Sequence, residues 1–189
     1  MGLTLLVLLG ALVAGRAAGG PGRVHPFRFQ GVPLLVAAFA VQVAEPVAGR
    51  FVAYSYPLAL AVSATLMVQF AGRNIRIPGV ALACLGVLLN ALVVVANGAM
   101  PVSEHAASRA GIDVEALALD VDPRHEPLDG NTRLGLLADV VPTPIPGHRE
   151  VDSAGDIALA GGVGLLVFTT MCRRRGVFAP SVRVRATAS

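Results

Sequence analysis

The chain has 189 residues, 54% of them hydrophobic, with a mean hydropathy of +0.69, against an apolar share of ~45–50% in an ordinary soluble domain. Its fifteen basic residues are all Arg and are spread over short segments between apolar runs, which excludes the clustered basic face of a nucleic-acid binder and suits positive-inside sorting in a membrane protein. Cys84 and Cys172 have no paired spacing, so neither a disulfide framework nor a cysteine metal site is indicated.

Five apolar segments approach or meet the ~20 residues that cross ~30 Å of hydrocarbon: residues 1–15, 30–44, 51–71, 77–100 and 157–172. The first could be a secretory signal, but it has no positive n-region and its first charge, Arg16, follows the apolar run, so it is read as a span. The second opens with Pro33, tolerated in a first helical turn because the missing N–H has no partner there, and carries Glu45 at its far end.

Counting Arg on alternate sides gives an orientation. Arg16, Arg23, Arg28, Arg73, Arg76 and the five after residue 172 fall on one side, ten in all, while Arg50, Arg109, Arg124, Arg133 and Arg149 fall on the other. The ten-Arg side is expected to be cytoplasmic, which leaves the N-terminus outside, residues 176–189 as a cytoplasmic tail, and residues 101–156 as an extracytoplasmic insert within a membrane domain of residues 1–175. Tyr54 and Tyr56 suit an interfacial belt at the outer start of the third span. Eleven of the twelve acidic residues lie between Glu104 and Asp156.

Asn90 and Asn97 are seven residues apart in the fourth span, so they share one helix face and are expected to hydrogen-bond within the bundle. Gln42, Gln69, Ser63 and Thr65 invite the same account. In the last span Ala158, Gly161, Gly162 and Gly164 form a small-residue surface that allows close backbone approach.

In the insert, Gly98 and Pro101 end the fourth span and Ser103 is expected to cap a helix running to about Gly111. Asp113 would cap a short turn over 114–119, and residues 120–133, with Pro123, Pro127 and Gly130, read as a solvated loop. His105, His125 and His148 match no metal-ligand spacing, and no metal or cofactor is expected. Residues 134–146 are apolar and interleaved with Pro142, Pro144 and Pro146, so they are expected to lie extended at the membrane surface, with one acid, Asp139. Ser153 with Asp156 three residues later is a capping-box pattern ahead of the last span.

Asp139 and Asp156 are the candidate catalytic pair, with Asn97, Ser153 and Asn90 as supporting residues. Asp156 has a sufficient structural account in its cap, and Asp139 has a weaker one in pairing with Arg133 or Arg149. Functionally, two carboxyls sharing a proton could activate water and polarise a peptide carbonyl.

The Asn97–Val102 segment Asn-Gly-Ala-Met-Pro-Val, the multi-span layout, Asp139-Val140-Val141-Pro142 and Ser153-Ala154-Gly155-Asp156 together resemble a bacterial integral-membrane family known only as a domain of unknown function. That resemblance implies a bacterial inner-membrane protein and no particular activity. Leu137-Ala138-Asp139-Val140-Val141 and Ser153–Asp156 are also distantly similar to the two aspartate motifs of lipoprotein signal peptidase, a four-span membrane aspartyl peptidase. The departures are Ser153 in place of Asn, Gly155 in place of Ala, no Asn-x-x-Asp-Arg motif after Asn97, and the added segment 103–133.

The resulting expectation is an all-α integral membrane bundle of five transmembrane helices with a partly structured extracytoplasmic insert. Its partners would be the lipid bilayer and an envelope protein engaged through the insert. A non-catalytic, scaffold-like role stands ahead of an aspartyl peptidase. A transporter comes third, because no span carries an ionisable residue near its midplane.

Overall fold

The computed structural model describes residues 2–19, 27–112, 124–145 and 148–172. The described residues are mostly helical: α1 (Gly2–Gly19), α2 (Val32–Ala48), α3 (Ser55–Asn74), α4 (Val80–Asn97), a short α5 (Glu104–Ala110) and α6 (Ala154–Cys172). Three of these, α3, α4 and α6, are long and apolar enough to cross a membrane, and α1 and α2 are shorter apolar helices. The expected turn after Asp113 and the tail 176–189 lie outside the described residues.

The helix bounds shift for local reasons. α2 runs past residue 44 to Ala48, because Pro46 in its last turn removes only one ladder bond and the Gly49 amide closes the helix on the Glu45 carbonyl at 2.8 Å. α3 starts at Ser55 rather than residue 51, since residues 49–53 turn back on the end of α2 and Tyr54 takes a left-handed conformation, φ 60°. α6 starts three residues before the expected 157, at its cap.

Consecutive helices α2, α3 and α4 pack antiparallel. Ser63 on α3 accepts from Gln42 Nε2 at 3.0 Å and donates to the Ala38 carbonyl of α2, as the polar residues in these segments had suggested, whereas Thr65 bonds only within its own helix. Phe70 of α3 packs with Val80 and Cys84 of α4. The two asparagines that end α3 and α4 act alike. Asn74 donates to the Gln30 and Phe70 carbonyls and accepts from the Gln30 amide. Asn97 donates to the Val93 and Arg133 carbonyls and accepts from the Arg133 amide. Each side chain thereby satisfies a carbonyl of its own last turn and grips a distant backbone segment at two points.

α6 lies antiparallel to α4 and parallel to α1. A side chain at Gly86 would meet the backbone of Gly155 and Leu159, one at Gly162 would meet that of Ala83 and Gly79, and one at Gly164 would meet Val7 of α1. The small-residue surface read from the sequence thus serves two neighbours, α4 through Gly162 and α1 through Gly164, and Gly155, outside that surface, adds a second close approach to α4. The register is staggered: α6 begins beside Gly86 and Asn90, so its first turn lies about 10 Å short of the end of α4, seven residues at ~1.5 Å each.

The insert fills that notch, and here the all-α expectation is corrected. Among the described residues four short strands are present: β1 (Met100–Val102), β2 (His125–Pro127), β3 (Val141–Ile145) and β4 (His148–Asp152). β1 pairs parallel with β2, and on its other side Val102 bridges to Asp139. β3 and β4 form an antiparallel ribbon, with Val141 opposite Asp152 and Thr143 opposite Glu150. In such a ribbon only alternate residues turn their N–H toward the partner, so Pro142 and Pro144 can occupy the outward positions without costing a ladder bond. The described part of residues 134–146 is therefore not simply extended: Gly135–Leu137 form a 3-10 turn, and Pro142 and Pro144 belong to a paired strand. Ser103 caps α5 through the Ala106 amide and Gly111 ends it in the left-handed conformation, as expected. Val93, Val94, Met100 and Ala138 make the core beneath the insert, with Tyr56, Leu60, Leu128 and Leu137 packed around it.

Candidate functional site

Ser153 and Asp156 form the capping box anticipated from their spacing. The Asp156 amide donates to Ser153 Oγ at 3.0 Å, and Asp156 Oδ2 accepts from the Ser153 amide at 2.9 Å. The other carboxylate oxygen, Oδ1, accepts from Asn90 Nδ2 of α4 at 2.8 Å. Ser153 Oγ lies 2.8 Å from Asn90 Oδ1 and 2.7 Å from Asp156 Oδ2 and has one proton to give to either. Asn90, Ser153 and Asp156 are thus joined in one network that closes the start of α6 against α4.

Asp139 reaches the same region from the insert. Its amide donates to the Pro101 carbonyl at 3.0 Å and its carbonyl accepts from the Ser103 amide at 2.9 Å, so its backbone is stitched to the edge of β1. Its side chain is only 6% exposed, and Oδ1 has no hydrogen-bond partner. Burial pushes the carboxyl up to about 8, with the charges of Asp156 and Asp152 adding to the effect. Neither arginine proposed as its partner takes that role: Arg149 donates to the Gly111 carbonyl at 2.6 Å, and Arg133 is held through its backbone by Asn97. Asn97 belongs to that clamp and not to the acid group.

Two acids at this place were not singled out from the sequence. Asp152, the residue before the cap, is 4% exposed with Oδ2 unpartnered. Burial raises its carboxyl, and Asp156 and Glu150 add to this against a hydrogen bond from Thr143. Glu150 accepts from the Gly2 and Leu3 amides at 2.7 and 3.3 Å and so closes the start of α1. Burial opposes its charge, but these amides help hold it down at about 2. The alternation of acids at 150 and 152 would have been informative only with the strand already known. Among the described residues, no three His, Cys, Asp or Glu side chains converge as metal ligands.

A second feature lies at the same end of the bundle. A half-open cleft of about 710 Å³ separates the α2–α3 turn from the insert, with Arg50, Tyr54, Asn97 and Glu126 on its walls. At its edge the buried Glu45 carboxylate accepts from Ser55 Oγ at 2.9 Å and pairs with Arg124 at 2.7 Å, whose guanidinium lies 5.6 Å from the Tyr56 ring centre. Arg124 is 41% exposed, so the pair is partly screened. Glu45→Gln is expected to lower stability by only about 1 kcal/mol, as read from thermal unfolding in detergent. A loss several times larger would mean that the pair holds β2 in place.

The model of DUF5317, described as a family of unknown function, matches residues 26–168, well over half of the chain. The match covers the cap network, Asp139 and the cleft, and begins after α1. No curated protein and no solved structure matches the chain.

Proposed function

The chain belongs to DUF5317, a family of unknown function, and we propose that it is a five-span protein of a bacterial inner membrane with a non-catalytic, scaffold-like role. In this reading α1 and α2 also cross the bilayer, the N-terminus is outside, and the insert faces the extracytoplasmic compartment and offers a surface to an envelope protein. The alternating helix directions support it, since they bring the acid-rich insert and the α2–α3 turn to one end of the bundle. The ten-to-five distribution of Arg supports the orientation.

The observation that carries the non-catalytic role is the state of Asp156. Both of its oxygens are engaged by Ser153 and Asn90, and Asp139 is buried within the insert at 6% exposure, so a peptide carbonyl has no open approach to the Asp139 carboxyl. A membrane aspartyl peptidase is the second reading. It is favoured by the orphan oxygen of Asp139 and by the Asp156 charge acting on that carboxyl, the asymmetry that an acid–base pair needs. Processing of a lipoprotein reporter separates the two. Unchanged processing with Asp139→Asn and Asp156→Asn at normal expression is expected, together with loss of a co-purifying envelope partner on deletion of residues 103–133. Loss of processing in both variants would replace the scaffold by the peptidase.

A further inference from the structure

Asp139 and Asp152 are both more than nine-tenths buried, each has a carboxylate oxygen without a partner, and both feel the charge of Asp156. Around Asp139, β1 supplies no ionisable group, α4 supplies only the Asn90 amide, and Glu104, His105 and Arg109 of α5 are exposed. The exposed Arg149 of β4 is turned to the Gly111 carbonyl. Among the described residues, the charged groups that face Asp139 are therefore Asp152 and Asp156, while Asp152 also feels Glu150 and, more weakly and in the opposite sense, the N-terminal ammonium. Buried carboxyls of one sign cannot all ionise without a counter-charge, and since no three metal-ligating side chains converge among the described residues, a proton is the species that meets the deficit.

We propose that Asp139, with Asp152 beside it, is a proton-binding site that sets how tightly the insert docks onto the helix bundle. The coupling is mechanical as well as electrostatic. The Asp139 backbone closes β1 from one side, Asp152 ends the β3–β4 ribbon, and Asp152 is followed directly by the cap of α6. Ionising Asp139 places a charge where insert, ribbon and bundle meet, and the charge is relieved when the insert lifts and admits water.

The sign follows from linkage. The docked state holds its proton to a higher pH than the open state, so docking is strongest in acid, weakens as pH rises from ~4 toward ~8, and levels off above that. The inference does not depend on whether the site is catalytic.

The test uses the full chain in lipid nanodiscs. The sequence has no Trp, so Leu128→Trp, at a half-buried position against the core beneath the insert, gives a unique reporter. Acrylamide quenching during a urea titration reads the urea midpoint of insert release. That midpoint is expected to fall between pH ~5 and ~8 in the reporter parent, to lose most of that fall once Asp139→Asn is added, and to fall less steeply with Asp152→Asn. A flat profile in the parent, the same fall with Asp139→Asn, or a pH profile made flat by added calcium ions would overturn the proposal.

Discussion

Gly86→Ala and Gly162→Ala are each expected to force α4 and α6 apart and to lower stability by ~1–3 kcal/mol, the usual range for overpacking. The added methyl at 86 would fall on the Gly155 carbonyl and the Leu159 amide, and at 162 on Ala83 and Gly79. All of these are backbone atoms, which cannot rotate out of the way as a side-chain terminus could. Gly10→Ala and Gly72→Ala provide the contrast, because nothing lies within 4 Å of a methyl at either helical position. There alanine should stabilise by about 0.5–1 kcal/mol through helix propensity. Denaturant titration of the four variants gives the comparison. Equal effects at all four sites would mean that α4 and α6 are not packed through these glycines.

Ser153→Ala is expected to cost ~1–3 kcal/mol by leaving buried polar atoms without partners. The hydroxyl is completely buried. Its removal takes the acceptor from the Asp156 amide and the donor from Asn90 Oδ1 or Asp156 Oδ2. Water could restore these bonds only by entering between α4 and α6, where the backbones are already in close approach. Asn90→Ala removes a different member of the same network, so the double variant should cost clearly less than the sum of the single ones. Additive losses in a double-mutant cycle would show that the three side chains do not act as a unit.

What could be read from the sequence divides by range. The Ser153–Asp156 cap and the Ser103 cap of α5 are set by residues three apart, and both were visible. The close-packing role of Gly162 and Gly164 was visible too, because a small residue on a helix invites a neighbouring backbone whichever helix supplies it. The partners themselves were not. Asn90 and Asn97 were read as one face with one role, yet the stagger of α6 gives Asn90 to the cap while Asn97, two turns further on, clamps Arg133. Alternating prolines argued against a helix over 134–146, but the β3–β4 ribbon depends on pairing with 148–152, for which these short segments carry little alternation. Asp139 had no local reason to be acidic. Its surroundings come from residues as distant as Pro101 and Asp156, which no window along the chain brings together.

The stagger between α4 and α6 also bears on the lipid. In a bilayer, the insert-side ends of these two helices would meet different depths of one leaflet. The flank formed by α1 and α6 would present capped helix ends and the β3–β4 ribbon at a level where, on the opposite flank, the exposed Val95 of α4 still asks for acyl chains. Lipids around the protein would have to be thinner on one side than on the other, at fractions of a kcal/mol per Å of mismatch. That asymmetry would give the bundle a preferred rotational setting toward any neighbour that relieves it.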